Sequence, residues 1–337
     1  MTAGGTAGGT SGGNSTAGGT AGGAVSFIWS GIGVTPAPTS AAPVAVAVAA
    51  RPGDAWVVLD NGRFYRSDGG IFAEVAGVSL ASVRDLYVSP SGRVYAVGTG
   101  RTALSCTGDC GVGSNFLQGQ TASTLDTWSG LCGSGEDVFG FGTGSSSAGV
   151  LYQFVDGGWN KVSPNLGVTS PRSCQFGPAG EVYVAGSDGI ARYENGGFTP
   201  EPLDLMGQPA ANWNSLAFSI RGGTIRDAFA VGGGSGYRFA RRNQQTSSWT
   251  SLPPNTAGTN LSVVITFGQD EFLAAGTPNG TGGPRFMTWN GSAWAPSSPQ
   301  PPNSITNVRD AWATSDREVF LVGNDNASNY AIIRGRR

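Results

Sequence analysis

Six segments of the chain share one pattern, a short apolar run closed by glycine. They are VYAVG (Val94 to Gly98), VFGFG (Val138 to Gly142), VYVAG (Val182 to Gly186), AFAVG (Ala228 to Gly232), FLAAG (Phe272 to Gly276) and VFLVG (Val319 to Gly323). The closing glycines at 98, 142, 186, 232, 276 and 323 stand 44, 44, 46, 44 and 47 residues apart. A weaker copy, AWVVLDNG (Ala55 to Gly62), brings the number to seven. A period of this size restricts the chain to stacked or ring-like repeats, because a unit so short buries its core only against its neighbours.

Each period reads as four short strands. From Ala81 they are ASVRDLYVS, RVYAVG, TALS and NFLQG. Elsewhere the last two strands form hairpins: LYQFVDGGW (Leu151 to Trp159), IARYENGGF (Ile190 to Phe198) and FMTWNGSAW (Phe286 to Trp294). Asp, Asn and Gly at their centres tolerate the positive φ that tight turns require. The alternation of Ile190 and Arg192 against Ala191 and Tyr193 is that of a strand, and no helical period exceeds two turns. Four strands per 40–50 residues describe a β-propeller blade. Over residues 25–337 the blade pattern resembles bacterial Kelch/WD40-like and BNR-like propellers, with RSDGG (Arg66 to Gly70) approaching an Asp-box. The resemblance implies an all-β fold, a seven-bladed β-propeller of four-stranded antiparallel blades. A six-bladed ring with residues 25–75 packed outside it is the alternative.

The spacing also predicts how the ring closes. Aromatics near the start of each fourth strand fall at Phe72, Phe116, Trp159, Phe198, Trp249 and Trp294, and the next would lie just past the C-terminus. One period before Phe72 stands Trp29, in VSFIWSGIG. Residues 25–33 are therefore expected to supply the outer strand of the last blade, whose inner strands are residues 305–335, leaving no open edge between first and last blades.

Two segments read as connections. Residues 1–24 hold ten glycines and no large side chain after Met1, so they cannot bury enough apolar area to offset the entropy of ordering. They are expected to be a disordered Gly/Ala/Thr-rich tether, with residues 25–337 a single propeller domain. This TAGG-type tract resembles the surface tethers of bacterial lipoproteins, particularly myxobacterial ones, where it follows a lipidated cysteine. That resemblance implies an extracellular or outer-membrane location and a lipid anchor in the native precursor, with Met1 standing where a leader was removed. TPAPTSAAP (Thr35 to Pro43) reads as an extended proline-rich linker. Nineteen arginines against one lysine, Lys161, suggest a GC-rich bacterial genome.

Composition excludes several functions. The net charge is −2, only 12% of residues are charged, and no basic block exists, which argues against nucleic-acid binding by phosphate neutralisation. No apolar run reaches 18 residues, so no transmembrane helix is expected. With no histidine in the chain, Ser/His/Asp and Cys/His catalysis and His-ligated zinc are unavailable. The four cysteines suit an exported protein: Cys106 and Cys110 in SCTGDC could close a local disulfide. Cys132 and Cys174, 42 residues apart, could face each other from adjacent repeats. Free buried thiols and a zinc site are the other readings.

Propellers bind ligands where the starts of the innermost strands converge on the axis. Counting back 14 residues from the closing glycines places Arg84, Trp128, Arg172, Ser262 and Arg309 around that mouth, with Asn214 the counterpart in the repeat that carries an insertion. Guanidinium forks suit carboxylate, phosphate or sugar ligands. The competing reading is structural: Arg84-Asp85 and Arg309-Asp310 carry their own carboxylates and could merely pin strand ends. Trp159, Trp249 and Trp294 recur once per repeat, as packing between blades or as sugar-stacking platforms. Trp128 and Trp213 fall outside that register and are expected to be exposed. The loops GTGSSSAG (Gly142 to Gly149), GGGSG (Gly232 to Gly236), TPNGTGG (Thr277 to Gly283) and NDNASN (Asn324 to Asn329) suit adaptable recognition, the last also a weak calcium loop. Asp85, Asp126 and Asp310 are the acids near the mouth, and they form no recognisable catalytic constellation. The expectation is a non-catalytic binding scaffold without cofactor, taking an unknown protein or glycan at the cell surface. A lectin-like propeller is the alternative, and a glycosidase or lyase a distant one.

Overall fold

The computed structural model describes residues 27–336, apart from 39–40, 50–53, 121–125, 146, 164, 207–211, 234–237, 253–258, 269, 279–285, 298–304, 316–317 and 326–329. The tether expected over residues 1–24 lies outside the described residues. Strands β1 (Ile28–Gly31) and β2 (Val34–Thr35) come first. Blade 1 is then β3 (Pro43–Val48), β4 (Asp54–Leu59), β5 (Arg63–Asp68) and β6 (Phe72–Ser79). Blade 2 is β7 (Val83–Val88), β8 (Val94–Gly98), β9 (Thr102–Cys106) and β10 (Phe116–Gln120). Blade 3 is β11 (Thr127–Ser134), β12 (Asp137–Thr143), β13 (Gly149–Val155) and β14 (Gly158–Ser163). Blade 4 is β15 (Ser173–Phe176), β16 (Val182–Ala185), β17 (Ile190–Glu194) and β18 (Gly197–Pro200). After β19 (Leu203–Asp204), blade 5 is β20 (Asn212–Arg221), β21 (Thr224–Gly233), β22 (Arg238–Arg242) and β23 (Trp249–Leu252). Blade 6 is β24 (Thr259–Gly268), β25 (Glu271–Pro278), β26 (Phe286–Trp289) and β27 (Trp294–Pro296). Blade 7 is β28 (Asn307–Ser315), β29 (Glu318–Asn324) and β30 (Tyr330–Arg336), completed by β1.

Seven antiparallel four-stranded blades thus form the ring. β1 pairs antiparallel with β30, Trp29 opposite Gly335, so the N-terminal segment closes the last blade. The six-bladed alternative fails, because residues 43–79 make a complete blade of their own. The proline-rich linker is also corrected. Its start lies in β2, which adds a parallel fifth strand beside β6, while Ala41 and Ala42 are buried and Pro43 opens β3. β19 does the same beside β23. All seven spaced aromatics stand at or beside the start of an outermost strand. They pack inward: Trp159 lies 5.0 Å from Trp128, and Trp294 4.5 Å from Phe239.

The closing glycine has one physical cause. It pairs with a residue at the start of the innermost strand, beside a β-bulge where the backbones crowd. A Cβ on Gly323 would meet the Asn307 carbonyl oxygen at 1.8 Å, and one on Gly232 would meet that of Asn212 at 2.0 Å. No larger residue fits there, so the repeat is punctuated by glycine.

Side chains of the innermost strands fasten blade to blade. Asp85 accepts the Leu131 N–H at 2.8 Å, joining blades 2 and 3, and Asp310 accepts the Val46 N–H at 2.8 Å, joining blades 7 and 1. Ser173 accepts the Leu216 N–H, and Ser215 the Val264 N–H, in the next two junctions. Between blades 3 and 4 the equivalent residue is Gly130, which has no side chain to offer. That junction carries the Cys132–Cys174 disulfide, with Cα atoms 5.7 Å apart. The second disulfide, Cys106–Cys110, closes the turn between β9 and β10.

Candidate binding mouth

The bulges build the mouth. In blades 1, 2, 3, 5, 6 and 7 the register of the innermost pair skips one residue: Val44, Arg84, Ser129, Asn214, Ser262 and Arg309. In blade 4 the corresponding residue is Arg172, just before β15, whose N–H donates to Ala185. A bulged residue turns its side chain away from the sheet faces, here toward the axis. Each blade therefore contributes one side chain to the ring, and three of the seven are arginines. A cavity of about 760 Å3 opens at the ring residues of blades 2 to 6, lined by Arg84, Ser129, Arg172, Asn214 and Ser262 among others. Below it a smaller space of about 170 Å3 continues between the inner strands and is lined by all three arginines, Asp85 and Asp310.

Five of the seven sequence-predicted mouth residues, Arg84, Arg172, Asn214, Arg309 and Asp310, thus line one channel. The two tryptophans do not behave as expected. Trp128 pairs with Gly142 and Trp213 with Gly232, so both occupy the position taken elsewhere by Val83, Leu261 and Val308. They are 3% and 1% exposed. The count from the closing glycine was one residue off in blade 3, and the ring position there is Ser129. Trp128 nevertheless lines the outer cavity, as expected of a mouth residue, whereas Trp213 lies in the core between blades 4 and 5.

The structural reading of the Arg-Asp neighbours holds for the aspartates, which pin strands of the next blade, but not through ion pairs with the arginines. Asp85 turns to the N–H groups of Leu86 (2.7 Å) and Leu131, and Asp310 to those of Ala311 (2.8 Å) and Val46. Neither carboxylate pairs with the arginine beside it. Arg84 is exposed and makes no hydrogen bond or ion pair among the described residues. Arg172 reaches Asn214 at 3.5 Å, and Arg309 approaches Asp60 at 3.9 Å. Asn214 is itself fixed, its amide donating to the Leu261 carbonyl at 2.7 Å. Asp126 plays no part in the mouth: it is buried inside blade 3, where it accepts from the Tyr152 hydroxyl and from Lys161 at 2.7 Å.

Asp85 and Asp310 face only the narrow channel, and loss of water there dominates their titration. Desolvation raises Asp85 from 3.8 to about 6, against the lowering effect of its two N–H donors. Desolvation, with the negative charge of Asp85 added, raises Asp310 to about 8. Further down, Trp312 leaves blade 7 and packs against core residues of blades 1, 2 and 3, its ring 6.3 Å from Tyr87. Tyr87 is held by its hydroxyl donating to the Gly135 carbonyl at 2.9 Å.

The once-per-repeat tryptophans are core. Trp159, Trp249 and Trp294 are at most 6% exposed, and the large apolar residues that are exposed, such as Ile28, Leu117 and Met206, include no aromatic among the described residues. The loops at 232–236, 277–283 and 324–329, with the calcium reading of NDNASN, lie largely outside the described residues. Among the described residues no cluster of three or more Cys, Asp or Glu is placed to hold a metal.

Fold and mouth together define a seven-bladed β-propeller. No family model matches the chain, and no curated protein sequence matches it. Solved structures do. YCF48 bound to a D1 peptide is similar over 93% of this chain and 98% of that one, with a TM-score of 0.66 at 16% identity. YCF48 from Cyanidioschyzon merolae gives a TM-score of 0.61 at 16% identity, over 92% and 98% of the two chains. The extracellular domain of the putative hybrid two-component system BT4673 from B. thetaiotaomicron gives 0.66 at 13% identity, covering 93% of this chain but 40% of that one. At such identities the likeness is one of fold.

Proposed function

We propose that this propeller is a non-catalytic binding scaffold whose mouth takes a carboxylate-rich segment of a protein partner. The observation that carries the reading is the set of three arginines lining one channel, Arg84 and Arg309 on bulges and Arg172 at the equivalent place before β15, with Asp85 and Asp310 turned away to backbone N–H groups. Guanidiniums so released offer paired donors to carboxylates, and a cavity of about 760 Å3 suits a few side chains of an extended peptide. That YCF48 was solved with a D1 peptide supports the use of such a ring for a peptide. Burial of Trp159, Trp249 and Trp294 weighs against the glycan alternative. Two disulfides support an exported protein at a bacterial surface, where residues 1–24 would act as a lipoprotein-like tether of a Kelch- or BNR-like propeller.

Selection from a random peptide library on immobilised protein tests this reading. Enrichment of Asp/Glu-rich sequences that fail to bind the Arg84→Ala/Arg172→Ala/Arg309→Ala variant is expected. Enrichment of basic or purely apolar sequences, or equal binding to the variant, would overturn it.

A further inference from the structure

Two blades carry a fifth strand, and these additions show how an outer edge is built. β2 lies parallel to β6, where the Phe72 N–H donates to the Gly33 carbonyl at 3.0 Å; β19 lies parallel to β23, where the Trp249 N–H donates to the Pro202 carbonyl at 2.7 Å. The aromatic that opens these outermost strands thus turns its N–H away from the blade. Phe116 of β10 does the same, its N–H donating to the Gly113 carbonyl in the turn before the strand. Outward and inward groups alternate along an antiparallel edge. The Phe116 carbonyl and the backbone groups of Gln118 and Gln120 therefore point outward, while Leu117 and Gly119 bond to β9. Among the described residues no strand covers this row.

A row of this kind is a template for another chain, and natural edges are blunted by brevity, charge, proline, a bulge or a cover. The other outermost strands carry one of these. β6 and β23 are covered, and β14 holds Lys161 and a bulge in its pairing with β13. β18 and β27 end at Pro200 and Pro296, and β1 has four residues. β10 has five residues, FLQGQ, paired with β9 in unbroken register and free of charge, proline and bulge. Its Leu117 is 66% exposed. The strand is firmly held: Phe116 packs 5.6 Å from Phe64 of blade 1, and the Cys106–Cys110 disulfide closes the preceding turn.

We propose that β10 pairs antiparallel with β10 of a second copy of this chain, joining the two second blades into one eight-stranded sheet. The strand is self-complementary about Gln118. With that residue on the two-fold axis, the two Gln118 backbones exchange a pair of hydrogen bonds, and each Gln120 N–H donates to the Phe116 carbonyl opposite. The Phe116 N–H, already used by Gly113, marks where pairing stops. Leu117 then stands opposite Gly119 in the closer, non-hydrogen-bonded kind of pair, where glycine leaves the space a leucine fills. A Cβ on Gly119 would lie 3.7 Å from the Trp159 ring, so the partner's leucine comes over that ring edge as well. Strands so short bury less than the roughly 1,200 Å2 of a standard interface, which makes the dimer weak and reversible. Because the paired strands run oppositely, the two mouths open to opposite sides, whatever the mouth binds.

Sedimentation equilibrium of the full chain, from about 5 µM to about 500 µM, tests the proposal. A monomer–dimer equilibrium is expected, weakened roughly tenfold or more in Leu117→Lys, which sets a charge on the edge, and in Gln118→Pro, which removes the central donor. Because the Gln118 N–H points away from β9, the proline breaks no bond within the blade, and both variants should keep the parent's circular dichroism. All the native cysteines are in disulfides, so Gln118→Cys presents one thiol per chain. A short bismaleimide is expected to join two copies of that variant but not of Arg226→Cys, an exposed position on blade 5. A parent that stays monomeric throughout would overturn the proposal, whether the edge takes an extended segment of another protein or nothing. So would a dimer that both substitutions leave intact, or equal cross-linking at the two positions.

Discussion

Replacing Phe27 by alanine probes the closure of the ring through one side chain. Phe27 immediately precedes β1, is 1% exposed, and packs 5.2 Å from both Phe267 of blade 6 and Trp29. A buried phenylalanine removes on the order of 150–200 Å2 from water, about 4–5 kcal/mol at 25 cal/mol per Å2. Discounting for a compact unfolded chain leaves about 3–4 kcal/mol. For the roughly 260 described residues, at roughly 2.1 cal/mol/K each, that is a fall in midpoint of about 5–7 °C. Ile28, the next residue, is 78% exposed, and Ile28→Ala should stay within about 0.5 kcal/mol. Urea denaturation followed by tryptophan fluorescence and by far-UV circular dichroism measures both. If β1 locks the ring, Phe27→Ala shifts one cooperative transition seen alike by both probes. A shift below about 1 kcal/mol, or a separate early transition confined to one probe, would refute the reasoning.

Other expectations follow from single features of the structure. Removing the 42-residue cross-blade disulfide by Cys132→Ala/Cys174→Ala should cost about 4 kcal/mol, and the four-residue Cys106–Cys110 loop about 2, as read from urea midpoints. Gly323→Ala should destabilise by about 1–3 kcal/mol because its Cβ would collide with the Asn307 carbonyl, while Gly31→Ala, with open space around it, should be neutral by thermal melting. Asp85 and Asp310 have folded pKa values above the unfolded value of about 3.9, so the folded state holds more protons between pH 4 and pH 8. Their contribution is therefore greatest below pH 4 and is lost as pH rises through about 6 and then 8; Asp310→Asn should flatten that fall in denaturation midpoints across pH 5–9. Trp213→Ala should lower stability by about 3–5 kcal/mol without a specific effect on ligand affinity at the mouth, checked by melting and peptide titration together.

The ring was legible because a propeller repeats its chemistry. Closing glycines, spaced aromatics and Asn/Asp-Gly turns each report a backbone constraint that recurs once per blade, and their phase located β1 opposite β30. The arginines of the mouth were legible for the same reason. What escaped was anything decided by a one-residue shift or by a single contact. Ser129 stands one residue beyond Trp128, and only the bulge between Trp128 and Gly130 reveals which of the two faces the axis. The two-residue strands β2 and β19 are too short to show periodicity, so Thr35 read as the start of a linker. The open edge of β10 carries no motif, and only the hydrogen bond from Phe116 to Gly113 shows which of its backbone groups turn outward. Asp85 and Asp310 do pin strands, but their partners were not legible, because adjacency to arginine in sequence suggested ion pairing. In the strand the neighbouring side chains diverge, and the carboxylates meet the next blade instead.

The most direct test of the binding account is fluorescence anisotropy of a labelled acidic peptide, titrated with the parent chain and with each single arginine variant over a range of salt. The account predicts that Arg84→Ala, Arg172→Ala and Arg309→Ala each weaken binding by about three- to thirtyfold, with a shallower salt dependence and an unchanged thermal midpoint. Equal affinity across the three variants and the parent would contradict the claim that the mouth is the binding site.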